Sequence, residues 1–111
     1  MNWIQLTDEQ QLSELKELSK NNPQVIFKHS TRCSISSMAK NRLERTSIPS
    51  VLPFYILDLI RFRPISNKVA QEFQVRHESP QVLIIVDGEC IYDESHSGID
   101  MKDILNNAKA A

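Results

Sequence analysis

The residue in this sequence best suited to carry chemistry is Cys33, a thiol in the polar segment 30–36. A free cysteine is often a small core residue, but the serines, threonine and arginine around Cys33 are not core neighbours. A helix is predicted to begin beside it, and the amides and dipole of a helix N-terminus favour an anion, here the thiolate. Because the thiolate is the nucleophile of thiol–disulfide exchange, this placement predicts a reactive Cys33.

The residue three positions after Cys33 limits what the thiol can do. In a Cys-x-x-Cys redox motif the second thiol resolves the mixed disulfide, whereas here Ser36 has that position and forms no disulfide. Its hydroxyl can donate a hydrogen bond that helps to keep the thiolate ionised. We therefore predict a monothiol mechanism with Cys33 and Ser36 as catalytic residues. Cys33 attacks a mixed disulfide, becomes S-thiolated and is released by an external thiol.

Two basic side chains near Cys33 are predicted to tune the thiolate. His29 and Arg32 add positive potential where their side chains face the sulfur. His29 keeps a second interpretation, that of a hydrogen-bonded histidine at a strand end. The histidines of the chain have no metal-ligand spacing, so no metal site is predicted.

The second cysteine, Cys90, is predicted to be inert. It follows the hairpin signal Asp87-Gly88 and lies on a strand expected at the sheet edge, away from Cys33. In an unexported chain both thiols are expected to be reduced.

Hydrophobic periodicity predicts the elements that position Cys33. Residues 1–6 suit an edge strand or an approach segment, and strand signals cover 24–29, 54–60, 81–86 and 89–92. Helical signals follow Thr7, cover 35–45, and follow Ser66 and Asp100. Thr7 with Gln10 has the form of a capping box, Ser66 is suited to cap the third helix, and Ile48-Pro49 is expected to lie beyond the end of the second.

The resulting order, β, α, β, α, β, α, β, β, α, predicts parallel strands with an antiparallel hairpin at one edge. This is the order of thioredoxin-like domains. We therefore expect an α/β fold with three layers (α/β/α), a mixed central sheet of about five strands, four helices, and a single domain over residues 1–111. Cys33 would lie at the C-terminal end of the second strand, where sites in open α/β sheets occur.

Charge and hydropathy argue against two classes of partner. The chain has 13 basic and 14 acidic residues, a formal net charge of −1, which gives no electrostatic case for nucleic acid or an anionic membrane. No apolar run approaches the roughly 20 residues that span a bilayer, and the first residues lack the basic and apolar regions of a signal peptide. We expect a cytoplasmic protein.

The segment 27–36, Phe-Lys-His-Ser-Thr-Arg-Cys-Ser-Ile-Ser, closely resembles the active-site stretch of the monothiol bacilliredoxins, bacterial thioredoxin-like proteins of general stress and the bacillithiol system. The family pattern Lys-His-Ser-x-x-Cys-Pro-Ile-Ser is matched at Lys28, His29, Ser30, Cys33, Ile35 and Ser36. The similarity continues in Arg63-Pro64-Ile65-Ser66, His77-Glu78-Ser79-Pro80-Gln81 and His96-Ser97-Gly98-Ile99. Ser34 stands where most members have proline, and we place it among the residues that tune the thiolate.

The resemblance implies that Cys33 removes bacillithiol, or another low-molecular-weight thiol, from mixed disulfides on cytoplasmic proteins. Bacillithiol would be the co-substrate, and no bound cofactor is expected. Thioredoxin-like domains place a cis-proline opposite the active cysteine, so Ser79 and Pro80, together with Thr31, are assigned to substrate binding. The alternative is a non-catalytic thioredoxin-like module that binds a thiol cofactor, a peptide or an Fe–S cluster.

Two further features keep two interpretations each. The basic residues Arg61, Arg63 and Arg76 either meet the carboxylates of a low-molecular-weight thiol or form a solvated basic face. Asp58, in an apolar strand, is either a buried carboxylate of the proton-relay kind or the point at which the strand emerges into solvent.

Overall fold

The computed structural model describes residues 1–46 and 52–109 and has the predicted α/β architecture. Its strands are Trp3–Gln5 (β1), Gln24–His29 (β2), Phe54–Asp58 (β3), Gln81–Val86 (β4) and Glu89–Ser95 (β5). Its helices are Glu9–Leu18 (α1), Ser34–Glu44 (α2), Arg63–Phe73 (α3) and Met101–Lys109 (α4), with a 3-10 turn at His96–Gly98. Ile48-Pro49, predicted to follow the second helix, lies outside the described residues. Over those residues, no helix has the length and apolar character to cross a membrane.

The strands form one mixed sheet in the order β1-β3-β2-β4-β5. β1, β3 and β2 run parallel to one another. Beyond β2, β4 pairs antiparallel with β2, and β5 pairs antiparallel with β4. Lys28 lies opposite Gln81, so the C-terminal end of β2 and the beginning of β4 lie at the same end of the sheet. Every residue of β2 is buried, as expected for a central strand that is covered on both faces.

Two hydrophobic cores, one on each face of the sheet, confirm the three-layer arrangement. Val25 and Phe27 pack with α2 and α4, whereas Ile26, between them, packs with α1 and α3. Because side chains alternate along a strand, His29 continues the face of Phe27 and Lys28 that of Ile26. The last two residues of β2 therefore serve different layers.

The capping box predicted for α1 is wrong by one residue. The N-cap is Asp8, whose carboxylate accepts the Gln11 amide hydrogen at 2.7 Å. The Gln11 side-chain oxygen in turn accepts from the Thr7 amide at 2.9 Å. The glutamine three positions after Asp8 therefore completes the cap, and Gln10 does not.

The third helix begins earlier and the third strand ends earlier than predicted. α3 starts at Arg63, with Pro64 in its first turn, where the missing amide hydrogen costs nothing. Ser66 is consequently a fully buried residue within the helix, not its cap. β3 ends at Asp58, whose carboxylate accepts the amide hydrogens of Ile60 and Arg61 at 3.1 and 3.3 Å. Asp58 thus closes the turn where the strand emerges, as its second interpretation states.

Candidate active site

Cys33 is the N-cap residue of α2, directly beyond the C-terminal end of β2. Its carbonyl accepts the first helical hydrogen bond, from the Ser37 amide at 3.1 Å, and its own amide donates to the Ser30 carbonyl at 3.2 Å. The side chain is half-buried. Among the described residues no side chain caps α2, and the first turn of the helix has no acidic residue. The thiol therefore lies beside helix amides and a helix dipole that no carboxylate of that turn offsets.

Ser36 ties the turn before Cys33 to the helix after it. Its hydroxyl oxygen is fully buried, accepts the Ser30 amide hydrogen at 3.0 Å and lies 2.6 Å from His29 Nδ1. His29 is only 7% exposed, and its ring stacks on Phe27 with 5.7 Å between centroids. The end of β2, the turn and the first turn of α2 are thus joined through one hydroxyl.

The hydrogen bond predicted from Ser36 to the Cys33 sulfur does not occur in this part of the chain as described. The two hydrogen bonds of Ser36 go to His29 and to the Ser30 amide, because α2 directs its first turn toward the end of β2. The catalytic role of Ser36 toward the thiolate stays a prediction.

The contacts of His29 are those of a hydrogen-bonded histidine at a strand end. Burial, and secondarily the charge of Lys40, lowers its pKa, so the ring is neutral at neutral pH. A neutral ring orients Ser36 but adds no positive charge near Cys33. The tuning role assigned to His29 stays a prediction that must operate through Ser36.

The other residues predicted around Cys33 are open to solvent. Thr31, Arg32 and Ser34 are exposed, and no hydrogen bond or ion pair of their side chains occurs among the described residues. Their functional groups are therefore available to a bound thiol or peptide. Their roles in substrate binding and thiolate tuning stay predictions.

An apolar surface next to Cys33 was missed by sequence reasoning. Ile35 and Met38, on the same side of α2, are 52% and 61% exposed. Residues three apart share one helix face, so an apolar pair just after the cysteine was the signal. The pair offers a protein partner apolar area beside the thiol.

Ser79 and Pro80 lie at the end of the sheet from which β2 leads to Cys33. The bond between them is cis, and Pro80 is buried. The Pro80 carbonyl accepts the His96 amide hydrogen at 3.0 Å. The Ser79 hydroxyl is buried and has no hydrogen-bond partner within the described part of the chain. The structure therefore brings the predicted substrate-binding segment and the cysteine turn to the same end of the sheet.

A buried lysine, Lys28, is the second feature that sequence reasoning missed. It is fully buried between the sheet and α3. Its Nζ donates to the Ser66 carbonyl at 3.2 Å and lies 3.2 Å from His77 Nδ1. Burial, with the nearby Arg63 charge, lowers the pKa of Lys28 to about 8. The available signal was a lysine within a strand whose other residues are buried.

The basic residues divide between the two interpretations. Arg61, Arg63 and Arg76 are all exposed, as in a solvated basic face. The Arg61 guanidinium lies over the Phe62 ring, 5.2 Å from its centroid. Arg63 is close enough to lower the pKa of Lys28, so its positive charge lies near the C-terminal end of β2.

Cys90 lies on the edge strand β5, as predicted, and is half-buried against the core between the sheet and α1 and α3. Its sulfur donates to the Tyr92 carbonyl at 3.3 Å. Burial raises the pKa of the Cys90 thiol to about 11. A thiol that stays protonated at neutral pH is a poor nucleophile.

We expect Cys33 to react with iodoacetamide at pH 8 at least about tenfold faster than Cys90. The raised pKa leaves roughly one Cys90 thiol in a thousand ionised at this pH. Timed alkylation followed by peptide mass spectrometry measures both rates. Cys33→Ser should retain only the slow reaction and Cys90→Ser only the fast one; equal rates at the two cysteines would contradict the prediction.

Comparison with known proteins indicates the family and the fold of this chain. A family model described as monothiol bacilliredoxin BrxC matches residues 4–104. A solved thioredoxin-fold structure to which an oxidoreductase function is ascribed has a TM-score of 0.82 and 27% identity, covering 94% of this chain and 91% of that chain. Thioredoxin from Malassezia sympodialis has a TM-score of 0.75 and 15% identity, covering 98% and 90% of the two chains.

Mitochondrial thioredoxin 3 from Saccharomyces cerevisiae is a further structural neighbour. Its TM-score is 0.67 at 22% identity, covering 98% of this chain and 95% of that chain. These neighbours confirm the thioredoxin-like fold. The family match and the fold together indicate a thiol redox function.

Proposed function

The chain belongs to the monothiol bacilliredoxin family, and on that premise we propose that Cys33 removes a low-molecular-weight thiol, bacillithiol in particular, from mixed disulfides on cytoplasmic proteins. One observation carries the proposal. A half-buried Cys33 caps the N-terminus of α2 without a competing side-chain cap, and a serine has the position of a resolving thiol.

The chemistry requires two exchanges. The Cys33 thiolate attacks the low-molecular-weight thiol's sulfur in the mixed disulfide, so a disulfide to Cys33 forms and the protein's thiolate leaves. A free low-molecular-weight thiol then attacks the Cys33 disulfide, and Cys33 leaves as the thiolate. In the net reaction the mixed disulfide and one free small thiol give the reduced protein thiol and the symmetrical disulfide of the small thiol, so one disulfide is present before and after. Ser36 forms no disulfide, so the second thiol must come from outside.

The surroundings of Cys33 suit such a substrate. Exposed polar side chains at 31, 32 and 34 face solvent beside the sulfur, and they can contact the small thiol. The exposed Ile35 and Met38 offer apolar area to the protein half of the mixed disulfide. The backbone of Ser79 and Pro80 lies at the same end of the sheet as Cys33 and is proposed to hold the substrate's sulfur-bearing segment.

The proposal is tested with a purified S-bacillithiolated protein and mass spectrometry of both partners. We expect one bacillithiol to move transiently to the Cys33 peptide and to be released when free bacillithiol is added. The Cys90→Ser variant should behave in the same way. No release above that of Cys33→Ser would contradict the proposal. An adduct that a free thiol does not release would instead support the binding module.

A further inference from the structure

We infer that Lys28 and His77 form a positioning pair that holds segment 76–80, with its substrate-binding Ser79 and Pro80, against the strand that leads to Cys33. The inference rests on the proposed function, since it assigns the pair to substrate binding at the same site. In this role neither side chain touches the reacting sulfur.

Lys28 is a buried cation without a carboxylate partner among the described residues. It is fully buried, and its Nζ lies within hydrogen-bond distance of two neutral groups, the Ser66 carbonyl and His77 Nδ1, each at 3.2 Å. The Arg63 charge, which acts on Lys28 and lowers its pKa, has the same sign. A charge kept in such a place is unfavourable to folding, which points to a role other than stabilising the fold.

The positioning pair connects the elements that converge on the site. Lys28 precedes His29, the last residue of β2, by one position, and Ser66 belongs to α3. His77 lies in the connection between α3 and β4, three residues before Pro80. Lys28 of β2 is paired with Gln81 of β4. A hydrogen bond from Lys28 to His77 therefore holds the connection at the end of the sheet where β2 leads to Cys33.

The other contacts of segment 76–80 come from different elements. The Gln81 side chain donates to the Arg76 carbonyl at 2.9 Å, and the His96 amide donates to the Pro80 carbonyl at 3.0 Å. These two hydrogen bonds, together with the ion pair between His96 and Glu78 at 3.5 Å, link the segment to β4 or to the chain after β5. Over the described residues, the positioning pair is the side-chain contact that joins the segment to β2.

Neighbouring groups do not replace this contact. The Ser66 and Ser79 hydroxyls and the Gln81 side-chain oxygen are buried without hydrogen-bond partners among the described residues. His77 accepts from Lys28 through a neutral ring, because burial, then Lys28 and Arg63, lower its pKa. A hydrogen bond with a charged donor is stronger than a neutral one, so the positioning pair ties the segment to β2 more firmly than a neutral pair would.

The test compares His77→Leu, which removes the acceptor, with His77→Asn, whose side-chain oxygen can take the place of Nδ1. Steady-state release of bacillithiol from an S-bacillithiolated protein is measured for both variants and for Lys28→Met. We expect His77→Leu and Lys28→Met to raise KM by about tenfold, the effect of losing one hydrogen bond to a charged group. The value of kcat and the alkylation rate of Cys33 should change by less than about twofold, and His77→Asn should restore KM.

Three outcomes overturn the inference. They are an unchanged KM in His77→Leu, a rise in KM of the same size in His77→Asn, or a parallel decrease in kcat and in the rate of Cys33 alkylation. Hydrogen exchange of the amides in segment 76–79 is measured on the same proteins and should be faster in His77→Leu but not in His77→Asn. If the wild-type protein shows no release at all, the proposed function fails. The positioning pair is then upheld or overturned by hydrogen exchange alone.

Discussion

Replacing Cys33 by serine is expected to reduce release of the low-molecular-weight thiol to the rate of uncatalysed exchange, a loss of about a thousandfold or more. A serine hydroxyl is not ionised at neutral pH and cannot form the disulfide intermediate. Cys90 cannot take over, because it lies on the edge strand β5 and burial raises its pKa to about 11. The rate of thiol release from an S-bacillithiolated protein, followed by mass spectrometry, measures the loss.

The matched control is Cys90→Ser, for which we expect release within about twofold of wild type, since substitutions away from a site have small effects. Thermal unfolding of both variants shows whether the fold is retained. If Cys33→Ser keeps activity that disappears in the double variant, the nucleophile is Cys90 and the proposed site is wrong.

The second large effect concerns Lys28 and the pH dependence of stability. Its pKa falls from an ordinary 10.5 to about 8 on folding, so the folded protein binds fewer protons than the unfolded chain in this window. The contribution of Lys28 to the free energy of unfolding should therefore rise with pH between 8 and 10.5. The cost of the buried charge is about 3 kcal/mol at pH 7 and less than about 1 kcal/mol at pH 10.

Lys28→Met removes this charge while keeping a side chain of similar length. We expect the variant to be more stable than wild type at pH 7, and the difference to shrink by about 2.5 kcal/mol at pH 10. Urea unfolding at both pH values measures it. Cys90, whose pKa is raised on folding, lowers stability at high pH, but it is common to both proteins and cancels.

The imidazole that Lys28 contacts does not change its charge in this pH window, because the lowered pKa of His77 keeps its ring neutral. A stability difference that does not depend on pH would contradict the assignment of a buried charged lysine. A variant that is more stable and yet has a higher KM would separate the positioning role of Lys28 from any role in the fold.

The order of strands and helices was predictable because its signals are local. Apolar runs, helical spacing and the Asp87-Gly88 turn each lie within a few residues of the element they specify. Element ends were less predictable. Which residue caps α1, Thr7 or Asp8, and whether Ser66 begins α3 or lies inside it, depends on how the first turn meets the neighbouring chain.

The sequence by itself determined that no second thiol has the resolving position, because the covalent chain places Ser36 three residues after Cys33. It also determined that Cys33 follows a buried strand and precedes a helix. Only the tertiary structure decided that Ser36 bonds to His29, since this depends on how α2 packs against the end of β2. The contact of Lys28 with His77 likewise joins residues 49 positions apart. No local pattern encodes such a contact, because it depends on which face of β2 each side chain takes and on where the chain returns before β4.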